Sequence, residues 1–299
     1  ASLAQHMSTL VVMATGLGKT VVISKVADSW RNGNVLCLAH RIELVDQMAD
    51  TLEGELGYRP VIEQGERGMD MDSMFASGHV VVGSIQSMIT ERRLRKFKDH
   101  PFGLIIIDEA HRATSPSYVK LVDRYRELDP QCRVMGVTAT PNRTDETALG
   151  LVFDSVAYEM GIVEGIDSGW LVDIHQKYAV VEDLDLSKIS SKRNQFGEMD
   201  FTPAELETLL SQEGPLHGMS RPVLDCTANG EQAIIFTASV PHAHLWAAVL
   251  NHYRPGCASA IDGTMAKGDG QPRTEIVRAF KGGDLQFLLN YSVTVEGFD

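Results

Sequence analysis

The chain has 299 residues, a length that favours two domains over one. Its apolar share of 43% and charged share of 22% are typical of a soluble globular protein, and no apolar run approaches the roughly 20 residues that a membrane-spanning helix needs. The formal net charge of −13 argues against a protein that coats nucleic acid through bulk positive charge, although a cleft could still hold a nucleic-acid backbone with a few hydroxyls, amides and arginines.

The cysteines and the N-terminal sequence bear on the cellular compartment of the protein. Four cysteines are widely separated and form no C-x-x-C pattern: Cys37, Cys132, Cys226 and Cys257. Three of them lie in apolar, strand-like or helix-like surroundings, so we expect buried thiols and neither a disulfide framework nor a zinc site. The N-terminus lacks the basic and apolar regions of a signal peptide. These features together predict a cytoplasmic protein.

The first motif in chain order is the segment T-G-L-G-K-T at residues 15–20. The apolar run 10–13 before it predicts a buried strand, and residues 21–30 after it predict a helix. A glycine-rich turn between strand and helix points backbone N–H groups at one spot that suits phosphate oxygens. In this pattern Lys19 reaches the β- and γ-phosphates and the Thr20 hydroxyl binds Mg²⁺. The predicted ATP-binding residues here are Thr15, Gly16, Leu17, Gly18, Lys19 and Thr20.

The phosphate-binding pattern is not complete, because Met13 stands where the full pattern has its first glycine. The alternative interpretation is a glycine turn that only joins a strand to a helix. Lysine and threonine after Gly-x-Gly at such a junction favour the phosphate loop over that alternative.

The second motif follows the unbroken apolar run 104–107, which predicts a strand buried on both faces of a parallel sheet. This strand leads into D-E-A-H at residues 108–111. A carboxylate pair at the C-terminal end of a central strand is well placed for nucleotide chemistry. We expect Asp108 to hold Mg²⁺ and Glu109 to orient and deprotonate the attacking water. The alternative is a helix N-terminus enriched in acidic residues.

The third motif is T-A-T-P at residues 138–141, which follows a predicted strand at 133–137. Its two hydroxyls, on Thr138 and Thr140, are able to connect a nucleotide site to something bound on the far side, or to cap a helix and a turn. Between the motifs, strands at 34–39 and 79–82 alternate with helices at 41–56 and 84–97. This alternation predicts one doubly wound parallel sheet.

The three motifs, in this order and spacing, resemble the first RecA-like domain of superfamily-2 helicases and translocases. The segments A-H-R-I-E-L-V-D-Q at 39–47 and V-V-G-S-I-Q-S at 81–87 resemble the first two nucleic-acid motifs of that family. The residues within these motifs are most similar to those of the DNA-directed branch of the family. This branch includes repair helicases and the motor subunits of type I and type III restriction enzymes. The resemblance implies an α/β fold of two RecA-like domains with mainly parallel sheets.

The resemblance also implies an ATP-dependent motor that uses Mg²⁺ and binds the backbone of a nucleic acid. It favours DNA over RNA as that nucleic acid. The catalytic residues that the resemblance implies are Lys19, Glu109 and His111. Among these, His111 would couple the γ-phosphate to Thr138 and Thr140. The predicted nucleic-acid contacts are Arg41, Ser84, Gln86 and Thr237. For Ser84 and Thr237 a helix cap is an equal alternative. The basic run 92–98 either lies along the strand or forms a solvated helix face, and Phe153 and Trp170 are expected in the core.

The second half is expected to be the second RecA-like domain. We predict a first domain at 1–170 and a second, incomplete one at 171–299, with an exposed polar insertion at about 182–212. Expected strands are 172–181, 233–236, 258–261 and 285–289. The last residues, V-E-G-F-D at 295–299, resemble the fifth family motif and would add Gly297 and Asp299 to the ATP site. The sixth motif and its arginines would lie after residue 299, so no arginine finger is assigned.

Other functions compatible with the sequence are an RNA helicase, a phosphate-loop kinase or other NTPase, and a nucleotide-binding or nucleic-acid-binding module without turnover. The T-A-T segment and the match at 295–299 argue against the kinase. Because no arginine finger is assigned, a binding module without ATP turnover remains an alternative interpretation.

Overall fold

A computed structural model describes residues 2–39, 42–68, 79–139, 149–181, 184–193, 199–265 and 272–291. The contacts divide the chain into two compact units, Ala1–Ile174 and His175–Asp299. The domain boundary after residue 170 stays a prediction. Both units alternate helices with parallel strands, as the sequence predicts.

The first unit contains a seven-stranded sheet with the order β3-β4-β2-β5-β6-β1-β7, and each neighbouring pair is parallel. Its strands are β1 Ser8–Met13, β2 Asn34–Ala39, β3 Val61–Glu63, β4 Val80–Ser84, β5 Phe102–Asp108, β6 Arg133–Thr138 and β7 Ser155–Met160. Its α-helices are Ser2–Gln5, Lys19–Ser29, Ile42–Leu56, Ile85–Met88, Glu91–Lys96, Pro116–Leu128 and Ile162–Asp167, with a 3₁₀ turn at Ala110–Arg112.

The apolar runs of the central strands are buried on both faces of this sheet. Alternate residues of a strand point to opposite faces, so the strands supply two separate cores. In β5, Ile105 and Ile107 join one core, whereas Leu104 and Ile106 join the other. This double burial explains why the strands read as continuous apolar runs rather than as alternating ones.

The second unit has a three-stranded parallel sheet with the order β10-β12-β11 and a two-stranded antiparallel pair, β8-β9. Its strands are β8 Ser191–Arg193, β9 Met199–Phe201, β10 Ala233–Phe236, β11 Ala258–Ile261 and β12 Phe287–Asn290. Its helices are Pro203–Leu210, Glu213–Cys226, Val240–Tyr253 and Pro272–Gly282, with a 3₁₀ turn at Leu186–Lys188. The α/β fold class with mainly parallel sheets is therefore confirmed.

Two predicted elements are wrong in detail. The expected strand 172–181 has no strand partner among the described residues and is irregular, with Val172 86% and Val180 92% exposed. The expected helix 84–97 is split into two helices, because Thr90 takes an extended conformation and its hydroxyl donates to the Ser87 carbonyl at 2.8 Å. Threonine competes with helical hydrogen bonding in this way.

The basic run that follows this break is solvated in part: Arg92, Arg95 and Lys98 are exposed, whereas Arg93 and Lys96 are anchored inside the first unit. The Arg93 Nε atom lies 2.8 Å from Glu63 Oε2, and the two side chains are 5% and 0% exposed. Lys96 forms a second ion pair with the same carboxylate. Arg93 also donates to the carbonyls of Gly65, at 3.2 Å, and Arg67, at 2.6 Å. The run therefore fixes the turn that follows β3.

Replacing Glu63 by alanine should lower the free energy of unfolding of the first unit by about 3–5 kcal/mol, because it leaves the buried guanidinium of Arg93 without its counter-charge. Urea denaturation measures this loss. Glu66→Ala is the matched control, since Glu66 pairs with Arg92 at 2.9 Å but is 95% exposed, and we expect no measurable change there. Equal effects of the two substitutions would contradict the structural role of the buried pair.

Candidate functional site

The three sequence motifs converge because they follow three adjacent parallel strands. β6 lies between β5 and β1, so the C-terminal ends of all three strands meet at one edge of the sheet. Asp108 is in register with Val137, and Val137 is in register with Val11. Two strand spacings therefore separate the carboxylate strand from the phosphate-loop strand, a distance of about 10 Å.

The loop between β1 and the helix Lys19–Ser29 depends on two glycines with left-handed backbone. Gly16 has φ of 87°, and Gly18 has φ of 83° and forms the N-cap of the helix. A side chain at either position would be strained. The Leu17 N–H donates to the Ala14 carbonyl at 3.2 Å, which closes the turn. Thr15 and Gly16 are exposed, and residues 17–20 are partly buried.

This loop is suited to bind an anion. The first hydrogen bond inside the helix runs from the Val22 N–H to the Gly18 carbonyl at 3.1 Å. The N–H groups before it have no carbonyl partner within the helix, and they carry the positive end of the helix dipole. Lys19 and Thr20, whose side chains carry an ammonium and a hydroxyl, are the first two residues of this helix. The arrangement matches what phosphate oxygens require.

The carboxylate pair ends β5 at a strained turn. Asp108 is the last residue of the strand, and its Oδ1 accepts the Glu109 N–H at 2.9 Å. Glu109 has φ of 51° and ψ of 53°, and among the described residues it is the one non-glycine residue with positive φ. This conformation costs energy for a residue with a side chain, and such strain is common where a group must be aimed. The Glu109 side chain is 27% exposed, so water reaches it.

His111 connects this turn to the end of β6. Its Nδ1 lies 3.4 Å from Glu109 Oε2 and 3.4 Å from the hydroxyl of Thr138. Thr138 is fully buried, whereas the His111 side chain is 30% exposed. The structure thus places His111 between the carboxylate and the T-A-T segment. Thr140, the second predicted coupling residue, lies outside the described residues.

The floor beside the carboxylates is apolar. Burial and, to a smaller extent, the nearby charge of Asp108 together raise the pKa of the Cys37 thiol to about 12. Cys37 is therefore a neutral core residue at physiological pH. Cys132 and Cys257 are also buried, whereas Cys226 is exposed, and all four thiols are free, so the prediction of three buried thiols is confirmed.

The predicted nucleic-acid contacts have different surroundings. The fully buried Ser84 hydroxyl accepts the Ser87 N–H at 3.4 Å, which is the helix-cap alternative. The Thr237 hydroxyl donates to the carbonyls of Ser239, at 3.1 Å, and Asn290, at 2.9 Å. Gln86 is exposed and remains a candidate contact. Arg41 lies outside the residues that the structure describes.

The remaining predicted positions have different outcomes. Gly297 and Asp299 fall outside the described part of the chain. Phe153 is 6% exposed, so its placement in the core is confirmed. Trp170 is 74% exposed, so its expected burial is wrong. The neighbouring Leu171 is partly buried in its place.

The described residues contain no group of three or more His, Cys, Asp or Glu side chains placed to hold a metal ion. Within the same residues, no helix has the length and apolar character needed to cross a membrane.

The sequence of the chain is similar to that of several known proteins. The family model described as "Type III restriction enzyme, res subunit" matches residues 2–143. The chain is 30% identical to the Putative ATP-dependent helicase IRC3 of Saccharomyces cerevisiae and 28% identical to the Putative mitochondrial ATP-dependent helicase irc3 of Schizosaccharomyces pombe. Each alignment covers 97% of this chain, but only 42% and 46% of the respective relatives. The chain thus spans less than half the length of these curated relatives.

The fold also matches solved structures. The helicase domain of Pyrococcus furiosus Hef has a TM-score of 0.61 at 16% sequence identity, and the match covers 98% of this chain and 84% of that one. At this identity the likeness concerns the fold alone, and it confirms the RecA-like architecture.

Proposed function

We propose that this chain is the motor part of an ATP-dependent DNA helicase or translocase, because its motifs resemble those of the superfamily-2 helicases and its fold resembles that of a solved helicase domain. The observation that carries the proposal is the convergence of three groups at one sheet edge. These are the phosphate loop at 15–20, the pair Asp108 and Glu109, and the contact of His111 with Thr138. A glycine turn with a merely structural role would need neither the carboxylates nor the strained Glu109 beside it.

The loop residues would bind the phosphates of ATP. Backbone N–H groups at the start of the helix Lys19–Ser29 donate to phosphate oxygens, and the Lys19 ammonium offsets the charge on the β- and γ-phosphates. Binding of this kind is electrostatic and is fixed in place by the fold, so little reorganisation is needed when charge moves during the reaction.

The donor chemistry at this edge also fits Mg²⁺. The Thr20 hydroxyl and the Asp108 carboxylate are oxygen ligands, and Mg²⁺ is usually bound by one or two carboxylates together with phosphates and waters. When bound, the ion supplies charge neutralisation at the β- and γ-phosphate oxygens. Thr20 and Asp108 are the residues that would hold it.

Glu109 would act as the general base. Its carboxylate would orient a water and take a proton from it as the water oxygen attacks the γ-phosphorus, while the bond from the γ-phosphorus to the bridging oxygen breaks and ADP leaves with that oxygen. The turn at Glu109 aims the side chain away from the buried strand, where 27% exposure leaves room for water. His111 would couple nucleotide binding and hydrolysis at this site to the end of β6, because its Nδ1 lies 3.4 Å from the Thr138 hydroxyl.

Nucleic acid would be held through its backbone. The net charge of −13 argues against binding through bulk positive charge, and Arg93 and Lys96 are engaged with Glu63. A small set of polar contacts such as Gln86 then fits better than a charged groove. DNA is favoured over RNA because the matching family model is that of a restriction-enzyme subunit. An RNA helicase is the second candidate, and a binding module without turnover is the third.

The test is ATP hydrolysis by the protein without nucleic acid, with single-stranded DNA and with single-stranded RNA of the same sequence. We expect DNA to stimulate turnover more than RNA does. Stronger stimulation by RNA would favour the RNA helicase. If ATP binds and neither polymer changes turnover, the motor function is rejected and a nucleotide-binding module remains.

A further inference from the structure

The segment that leads out of the first unit packs against the phosphate loop. After β7 the chain forms the helix Ile162–Asp167 and then turns back. The N–H groups of Trp170 and Leu171 both donate to the Gly165 carbonyl, at 2.9 and 3.0 Å. This turn brings the side chain of Leu171 over Gly165.

Leu171 also contacts the tip of the phosphate loop. A Cβ atom at Gly16 would lie 3.0 Å from Leu171 Cδ2. A Cβ atom at Gly165 would lie 2.9 Å from Leu171 Cδ1 and 3.0 Å from Leu17 Cδ2. These separations are closer than ordinary van der Waals contact, so the two leucines fill the space that the two glycines leave open.

The start of the loop is tied to the same segment. The Ala14 N–H, at the beginning of the loop, donates to the carbonyl of Met160, the last residue of β7, at 3.0 Å. The loop is therefore held at its base by β7 and at its tip by Leu171. Beyond Leu171, residues 172–180 are all exposed, so Leu171 is the last anchor before the chain passes into the second unit.

We propose that Leu171 is a positioning residue for the phosphate loop, and that nucleotide bound at the loop stabilises the packing of Leu171 at the start of the exposed connection. The inference rests on the proposed ATP site. Because linkage is reciprocal, a nucleotide that prefers the loop held by Leu171 must also favour the anchored connection. The connection between the units thus responds to the state of the phosphate loop through one apolar side chain.

The test compares Leu171→Ala with Val172→Ala, a control in the adjacent residue, which is 86% exposed. Equilibrium titration with a fluorescent ADP analogue and Mg²⁺ gives the affinity, and thermal unfolding without nucleotide checks that each variant is folded. We expect Leu171→Ala to weaken ADP binding by about 5- to 50-fold, the range of a typical coupling between sites. Val172→Ala should bind as the wild type does. Leu171→Met, which keeps the volume, should recover most of the affinity.

A second measurement applies even if Leu171→Ala does not fold. Hydrogen exchange of the wild type, with and without ADP, should show slower exchange of the Trp170 and Leu171 amides when nucleotide binds. Nucleotide binding with unchanged exchange at these amides, or unchanged affinity in Leu171→Ala, would overturn the positioning role while the ATP site stands. If the wild type binds no ADP, it is the proposed function that fails.

Discussion

Replacing Lys19 by alanine should remove ATP turnover, with a loss of about 100- to 1000-fold or more, because the variant lacks the ammonium that offsets the phosphate charge in the reacting complex. Lys19 is the first residue of the helix that follows Gly18, and alanine is the best helix former, so the local fold should persist. Affinity for ATP should fall as well, since the lysine contacts the ground state. Hydrolysis assays and titration with ATP measure the two losses separately.

Lys25→Ala is the matched control for this experiment. Lys25 belongs to the same helix, its side chain is 65% exposed, and it pairs with Glu55 at 3.4 Å. The control removes the same charge from the same helix without touching the phosphate loop, and it should hydrolyse ATP as the wild type does. Wild-type turnover in Lys19→Ala would refute the assignment of the phosphate loop.

Replacing Glu109 by glutamine should affect only one of these two quantities: ATP binds with nearly wild-type affinity, but turnover falls by about 100- to 10,000-fold, the usual contribution of a general base. Glutamine keeps the size of the side chain and the strained turn but cannot accept the proton of water. Single-turnover hydrolysis of prebound ATP isolates the chemical step from binding.

The control for Glu109 is Glu91→Gln, an exposed carboxylate that pairs with Arg124 at 2.8 Å and lies outside the phosphate loop, the D-E-A-H segment and the T-A-T segment. It should leave both binding and turnover unchanged. If Glu109→Gln hydrolyses ATP normally, Glu109 is not the base. If it fails to bind ATP, the residue shapes the site rather than acting in the chemical step.

Much of the site was predictable from sequence because parallel strands bring their C-terminal ends to one edge. The apolar runs before Gly16, Asp108 and Thr138 predict parallel strands of one sheet. The motifs that follow these strands are therefore expected at the same edge of that sheet. The α/β class followed from the alternation of such runs with helical segments. Unbroken burial on both faces, as in β5, left a strong signal in the sequence.

The features that escaped prediction depend on contacts distant in sequence or on backbone strain. Nothing local marks Glu109 as left-handed, because acidic residues also begin ordinary helices. The basic run looked solvated because its partner, Glu63, lies in another strand. Residues 172–181 alternate like a strand, but a strand also needs a neighbour, and among the described residues none pairs with it. Trp170 is exposed and Leu171 is partly buried because a turn, not periodicity, decides which of the two side chains points inward.

The most direct test of the central claim is a crystal structure of the protein with Mg²⁺ and a non-hydrolysable ATP analogue. The account predicts that the β- and γ-phosphates accept hydrogen bonds from the backbone of residues 16–20 and from Lys19, with the metal ion held by Thr20 and Asp108 and a water beside Glu109. Phosphates bound at another place, or a metal ion distant from both Thr20 and Asp108, would contradict it.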